Sequence, residues 1–273
     1  MSSARLFLLS SLACLAAVGA QPAFAQEAPD PNASSRGTAS EPSQSGAANP
    51  ITISGTAAIV SQYRFRGVSQ SDEKLAAQAG ITATHKSGLY AGVWGSNLAG
   101  FGTFGGANLE LDVFGGYKKT FGAATVDAGL LWYLYPGTSG TDYAEPYASV
   151  SGTLGPASVK VGAAYAPKQG AIGRNDNLYL YGDAGAAIPG TPFTLKGHLG
   201  YTQGKGSTLS GPRGRYLDYA IGADATYKML TFNLSYVGTD INRTAADGFY
   251  TSGNRRGRDI VDGTLLASVT AGF

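Results

Sequence analysis

From Ile51 to Phe273 apolar and polar residues alternate with a period of two, and the alternation breaks at regular intervals. The last segment shows it best. Val261, Leu265, Ala267, Val269, Ala271 and Phe273 share one face, and Asp262, Thr264, Ser268 and Thr270 share the other, with Leu266 the one exception. Successive side chains of a strand point to opposite faces, so each such segment is a ribbon with one apolar and one polar side. The same reading sets Leu217, Tyr219, Ile221 and Ala223 against Asp218, Gly222 and Asp224, and Val126, Ala128, Leu130 and Trp132 against Asp127 and Tyr133. About twelve strands are expected, near 51–65, 75–86, 88–98, 108–119, 123–135, 144–154, 157–167, 176–188, 192–203, 216–228, 229–240 and 260–273.

The interruptions alternate in length. Lys86-Ser87-Gly88, Thr120 to Gly122, Gly155-Pro156, Pro189-Gly190-Thr191 and Lys228-Met229 read as tight turns, separated by longer polar stretches at 66–74, 99–107, 136–143, 168–175, 204–215 and 241–259. This is the rhythm of an up-and-down transmembrane β-barrel with short periplasmic turns and long extracellular loops. An even strand count leaves both ends of the barrel on the periplasmic side. A soluble sandwich also alternates, but here the polar face carries Asp and Lys while the other is steadily Leu, Val, Ala and aromatic. Tyr63, Phe65, Tyr117, Phe121, Trp132 to Tyr135, Tyr201 and Tyr216 stand at segment ends, as aromatic girdles at two lipid–water interfaces would.

Residues ahead of Ile51 follow other rules. Arg5, the apolar run Leu6 to Gly19 and Ala23-Phe24-Ala25 read as a signal peptide (1–25) cleaved before Gln26. Residues 26–50, rich in Pro, Ser, Ala, Gly and Gln, read as a disordered periplasmic linker, and 51–273 as the barrel. No later stretch has the ~18 consecutive apolar residues of a spanning helix. Composition agrees: 40 Gly, 16 Tyr and 11 Phe, with only 14% charged residues, suit strands that pack closely and face lipid on one side.

A formal net charge of +2 gives no electrostatic case for nucleic acid as a partner. The single cysteine, Cys14, lies inside the signal behind a poor lipidation motif, Ser11-Leu12-Ala13, so the mature chain is expected to hold no disulfide, thiolate metal site or cysteine nucleophile. Two histidines, His85 and His198, make a structural metal site improbable, and no cofactor is expected. A barrel hydrolase would need a Ser–His or Asp–His pair within hydrogen-bond reach, and sequence does not bring Ser207 or Ser235 to His198. Gly100, Gly102 and Gly105 match a dinucleotide fingerprint in spacing alone, because a strand, not a helix, follows them.

The chemistry that remains is that of a pore. Arg64 is expected to face the lumen, with Arg66 beginning the first long loop. The two form either a charged constriction or a structural ion-pair network. Asp112, Asp127, Lys160, Asp183, Lys196, Asp218 and Asp224 are expected to line the lumen, hydrated in an open channel or paired in a plugged one. Arg213, Arg215, Arg255, Arg256 and Arg258 are expected in extracellular loops, where they grip lipid phosphates, attract anionic solutes or are simply solvated.

The run Tyr63-Arg64-Phe65-Arg66-Gly67-Val68-Ser69-Gln70-Ser71-Asp72 resembles the TorF-like family of proteobacterial outer-membrane porins. So do Tyr90 to Asn97, and Glu110-Leu111-Asp112 with Gly115-Gly116-Tyr117. The resemblance extends over 51–273 and implies an outer-membrane location in a Gram-negative envelope and a channel-like role, without a defined solute. The terminal Phe273 likewise resembles the signal read by the barrel-assembly machinery. The expected function is a porin-like channel for passive diffusion of small polar solutes, in contact with outer-membrane lipid and lipopolysaccharide. The rival is a plugged barrel serving as surface receptor, adhesin or envelope-structural protein.

Overall fold

The computed structural model describes residues 50–251 and 253–273. The signal peptide and almost all of the linker fall outside the described residues. Pro50, assigned above to the linker, is already tied to the wall, its carbonyl accepting from Lys86 N at 2.8 Å.

The chain forms a closed antiparallel barrel of twelve strands. In chain order the strands are β1 (Ile51–Val60), β4 (Ala76–His85), β5 (Leu89–Asn97), β6 (Leu109–Phe121), β7 (Ala124–Leu134), β8 (Tyr143–Leu154), β9 (Ala157–Ala166), β10 (Asn177–Ala187), β11 (Phe193–Gln203), β12 (Arg215–Tyr227), β13 (Leu230–Thr239) and β14 (Thr264–Gly272). Each pairs with its neighbour in sequence, and β1 closes on β14 through Thr56 to Val60 against Gly272 to Ser268. At that seam Gly55 and Phe273 exchange two backbone hydrogen bonds of 2.8 and 3.0 Å. The ring of Phe273 covers Gly55, where a Cβ would collide with it.

Every barrel strand exposes large apolar side chains outward, for example Ile53, Ile81, Val93, Leu130, Val161, Leu199, Ile221 and Leu265. An apolar belt running right round the molecule far exceeds the ~300–600 Å² of the largest patch on a typical soluble monomer, and it suits hydrocarbon. The opposite face is buried and largely polar. Inward glycines leave room for inward rings: a Cβ at Gly162 would strike Tyr181, and one at Gly200 would strike Tyr179.

Two expected strands end differently. The first leaves the wall at Val60 instead of continuing to 65. Residues 61–75 turn inward and form a separate two-stranded hairpin, β2 (Arg64–Phe65) and β3 (Val68–Ser69), with all four residues buried. The last strand begins at Thr264, because the 241–259 connection carries two short helices, α1 (Arg243–Phe249) and α2 (Gly257–Val261). Val261 therefore lies at a helix end, 1% exposed, and is not on the apolar outer face. The girdle reading also needs correcting. Tyr117, Phe121 and Trp132 are exposed, but Tyr63, Phe65, Tyr133, Tyr135 and Tyr216 are buried inside. They belong to the inward phase of their segments, and the interior is filled with aromatic rings as well as charge.

Candidate functional site

The inward hairpin turns on two residues, Arg66 and Gly67, both with positive φ (47° and 78°) between the paired Phe65 and Val68. Two-residue hairpin turns with positive φ at both positions ordinarily use Asn, Asp or Gly. An arginine there is held by what its side chain does. Its guanidinium is fully buried. One nitrogen, Nη2, donates to Glu145 Oε2 at 2.8 Å, and Nη1 donates to Asn177 Oδ1 at 3.2 Å. The guanidinium plane lies over the ring of Tyr179 at 4.1 Å and over Phe65 at 4.7 Å. Tyr133 also donates to Glu145 Oε2, at 3.0 Å, and stacks on Tyr143 with centroids 4.4 Å apart. The receiving side chains thus come from β7, β8 and β10 of the wall.

Arg64 anchors the root of the hairpin. It donates to Gln62 Oε1 (2.9 Å), Gly67 O (2.7 Å) and Asp262 O (2.9 Å), and sits 3.8 Å from Glu73. The residue is fully buried and belongs to the hairpin, not to a wall strand. Ser71 accepts from Tyr63 N, and Asp72 accepts from Arg255 N, so the loop is tied both to itself and to the helical connection above it.

Beside the Arg66 pocket stand two more carboxylates. Tyr63 donates to Glu110 Oε1 at 2.6 Å. Asp112, opposite Trp94 and Tyr133 in the ladder, is fully buried, and neither of its carboxylate oxygens has a hydrogen-bond partner among the described residues. Glu145 Oε1, Asn177 Nδ2 and Arg66 Nε are also unpartnered there.

The remaining expected lining residues are inward but do not join this group. Lys196 pairs with Asp224 at 3.1 Å, both side chains 1% exposed, and Asn233 donates to Asp224 at 2.6 Å. His198 lies between Asp183 (2.7 Å from Nδ1) and Asp218 (3.0 Å from Nε2), with Tyr179 OH 3.1 Å from the same Nε2. Asp127 accepts from Tyr90 at 2.5 Å and lies 3.9 Å from Lys118, and Lys160 sits 5.3 Å from the Tyr181 ring centre. The charges are spread along the barrel's height in separate groups instead of forming one ring. Ser207 accepts from Leu209 N and Ser235 donates to Asn233, so the hydrogen bonds of these two serines do not build a nucleophile beside His198. No group of three or more His, Cys, Asp or Glu able to hold a metal ion occurs among the described residues.

On the long-loop rim, Arg255 meets Glu73 at 3.3 Å and Arg256 meets Asp259 at 3.1 Å, while Arg258 pairs with Asp247. These hydrogen bonds from arginine hold the Asp247 and Asp259 carboxyls below the usual aspartate range and raise Arg258. Arg213 and Arg215 edge a surface cleft of about 310 Å³ with Tyr201, Asp240 and Asn242.

Glu145, Asn177 and Glu110 belong to this site and are absent from the residues that the sequence singles out. Glu145 shares the inward phase of Tyr143, Tyr147 and Ser149, and that phase was the available signal.

A family model described as "Bacterial protein of unknown function (Gcw_chp)" matches residues 44–273. No curated protein matches the chain in sequence. Among solved structures, the fold is similar to that of the NanC porin (TM-score 0.53, 14% identity, 81% of this chain and 98% of that one). It is also similar to that of the KdgM porin (TM-score 0.52, 10% identity, 81% and 99%). A second KdgM structure, in complex with disordered oligogalacturonate, aligns with a TM-score of 0.51 at 9% identity, over 81% of this chain and 98% of that one.

Proposed function

Since the chain belongs to the Gcw_chp family of bacterial proteins of unknown function, we propose its role from its own geometry: a porin-like outer-membrane channel for small polar solutes, its extracellular entrance occupied by the β2–β3 hairpin. The observation that carries this reading is Arg66, wholly buried inside a lipid-belted barrel on an inward-folded loop and bound to two wall strands, β8 and β10. The barrel is the membrane-crossing element, and the hairpin narrows it from the long-loop side. The run that resembles the TorF-like porins, Tyr63 to Asp72, contains this hairpin, which supports the same reading. Outer-membrane lipid and lipopolysaccharide would surround the belt, and Phe273 at the seam would be presented to the assembly machinery.

The charges inside bear on the solute. KdgM was solved with oligogalacturonate, a polyanion. Here Glu110, Asp112, Asp127, Glu145, Asp183, Asp218 and Asp224 stand against Arg64, Arg66, Lys118, Lys160, Lys196 and His198, a lining that favours neutral or cationic solutes over polyanions. Planar-bilayer recording of the refolded protein across a salt gradient tests this. Stepwise conductance with weak cation preference is expected. Silence from both the wild type and a variant lacking the hairpin would overturn the channel. The density of buried rings and ion pairs favours one second reading, a permanently plugged barrel presenting its loops as a receptor. It predicts a silent wild type and conduction only after the hairpin is removed.

A further inference from the structure

We infer that the wall pocket now filled by Arg66 is a binding site for a guanidinium-bearing solute, and that Arg66 is a tethered stand-in which the solute displaces. The inference deepens the channel reading, and relies on it only for the solute's route to the pocket.

Three observations carry it. First, the pocket is built without the hairpin. Glu145, Asn177, Tyr133 and Tyr179 are fixed on β8, β10 and β7 by the barrel ladder, so the site persists when the hairpin leaves. An aromatic face, a carboxylate and an amide oxygen are together what a planar guanidinium takes: stacking, a charge-assisted bond and a neutral acceptor.

Second, Arg66 uses the pocket incompletely. Only Oε2 of Glu145 is engaged, while Oε1, Asn177 Nδ2 and Arg66 Nε are buried without partners among the described residues. Carboxylates ordinarily meet guanidinium through two parallel bonds, and a free ligand can adopt the orientation that the tether denies. The tether itself is costly. Arg66 stands at positive φ, and so do Asp72 and Glu73 at the hairpin's far end, a conformation that non-glycine residues rarely adopt.

Third, the region holds more carboxyl groups than Arg66 engages. Glu110 and the unpartnered, fully buried Asp112 flank Glu145 on the same wall, with Asp112 opposite Tyr133 in the ladder. A buried carboxylate without hydrogen bonds is a place for a cation or a cation's donors. An incoming guanidinium therefore finds carboxyl acceptors beside the one that Arg66 holds.

Calorimetric titration of the refolded full barrel tests this with methylguanidinium as probe and methylammonium as control. Arg66→Ala is expected to bind methylguanidinium at least tenfold more tightly than methylammonium. Arg66→Ala/Glu145→Gln is expected to lose at least tenfold of that affinity. Equal binding of the two cations, or binding indifferent to Glu145, would overturn the assignment. Should Arg66→Ala fail to fold, a thiol at Ser69, buried in the hairpin, reports on displacement with Arg66 in place. Ser69→Cys is expected to react with a thiol reagent at least tenfold faster in methylguanidinium than in the same concentration of methylammonium. Identical rates would count against displacement. Neither readout requires current to flow, so selective binding by a silent barrel would remove the channel and keep the site, while conduction without selective binding would do the reverse.

Discussion

Two buried ion pairs inside this barrel look alike on paper and do different work. Lys196 and Asp224 sit on adjacent strands, β11 and β12, and the ladder brings them together before either side chain moves. Asn233 and Ser235 on the next strand extend the chain of hydrogen bonds. Arg66 and Glu145 lie 79 positions apart, and only one of them belongs to the wall. In the first pair the charges brace strands that are already paired. In the second they hold a short hairpin against a surface that is complete without it. A buried ion pair is a brace or a latch according to whether both of its ends are fixed by backbone.

The comparison makes graded predictions. The largest effect on stability should come from the brace. Lys196→Met leaves Asp224 buried beside apolar atoms and should cost about 3–5 kcal/mol in denaturant unfolding, and Lys196→Met/Asp224→Leu should recover most of it. A double variant as unstable as the single one would mean the pair is no brace.

Breaking the latch should cost less, because the hairpin can withdraw and admit water. Glu145→Gln should lower stability by about 1–3 kcal/mol while raising single-channel conductance several-fold. If Lys196→Met opened the channel more than Glu145→Gln does, the distinction would fail. Tyr133→Phe removes one of the two donors to Glu145 Oε2 and leaves the other. A loss of about 0.5–1.5 kcal/mol and a small rise in conductance are expected from the same two measurements.

The smallest effect lies at the rim. Asp247 and Asp259 have carboxyls held below the ordinary value of 3.8 by their arginine partners. A depressed folded-state value contributes stability above the unfolded value and loses it as pH falls through the folded one. The helical connection should therefore keep its amide-exchange protection near neutrality and loosen only below about pH 4. Equal protection of residues 243–262 on both sides of that range would show that these pairs contribute nothing. Because Arg64 reaches Asp262 and Arg255 reaches Glu73, a loosened rim should also ease the hairpin.

The barrel was largely legible in the sequence, since period-two alternation and the short–long rhythm of connections are direct consequences of strands between an apolar outer face and a polar interior. The hairpin was not, for a physical reason. Tyr63-Arg64-Phe65 alternates because β2 is itself extended, so periodicity cannot tell a wall strand from an extended segment folded into the lumen. Nor does Arg-Gly carry the Asn-Gly or Asp-Gly signature by which such turns are known. The same limit misplaced the tyrosines. Trp132 and Tyr133 are neighbours at one segment end, yet one is exposed on the outer face and the other stacks inside, which phase distinguishes and clustering does not. For the charges, alternation indicates the side on which Asp112 or Asp218 lies. Partnership depends on register across non-adjacent strands, and this is why Glu145 emerged only with the fold.

The seam at Phe273 has a consequence for the order in which the barrel can form. Eleven of the twelve wall pairings join consecutive barrel strands, while the twelfth joins Thr56 to Gly272. By polymer statistics, closing that circuit costs about 2 kcal/mol more chain entropy than closing one hairpin. The contact spans five paired positions, extended by two hydrogen bonds between Ser61 and Ala267 at one end and by two between Gly55 and Phe273 at the other. Propagation along the meander is thus local, and circularisation is the step that chain entropy places last. The last residue serves as a clasp, and until it engages the sheet keeps two free edges.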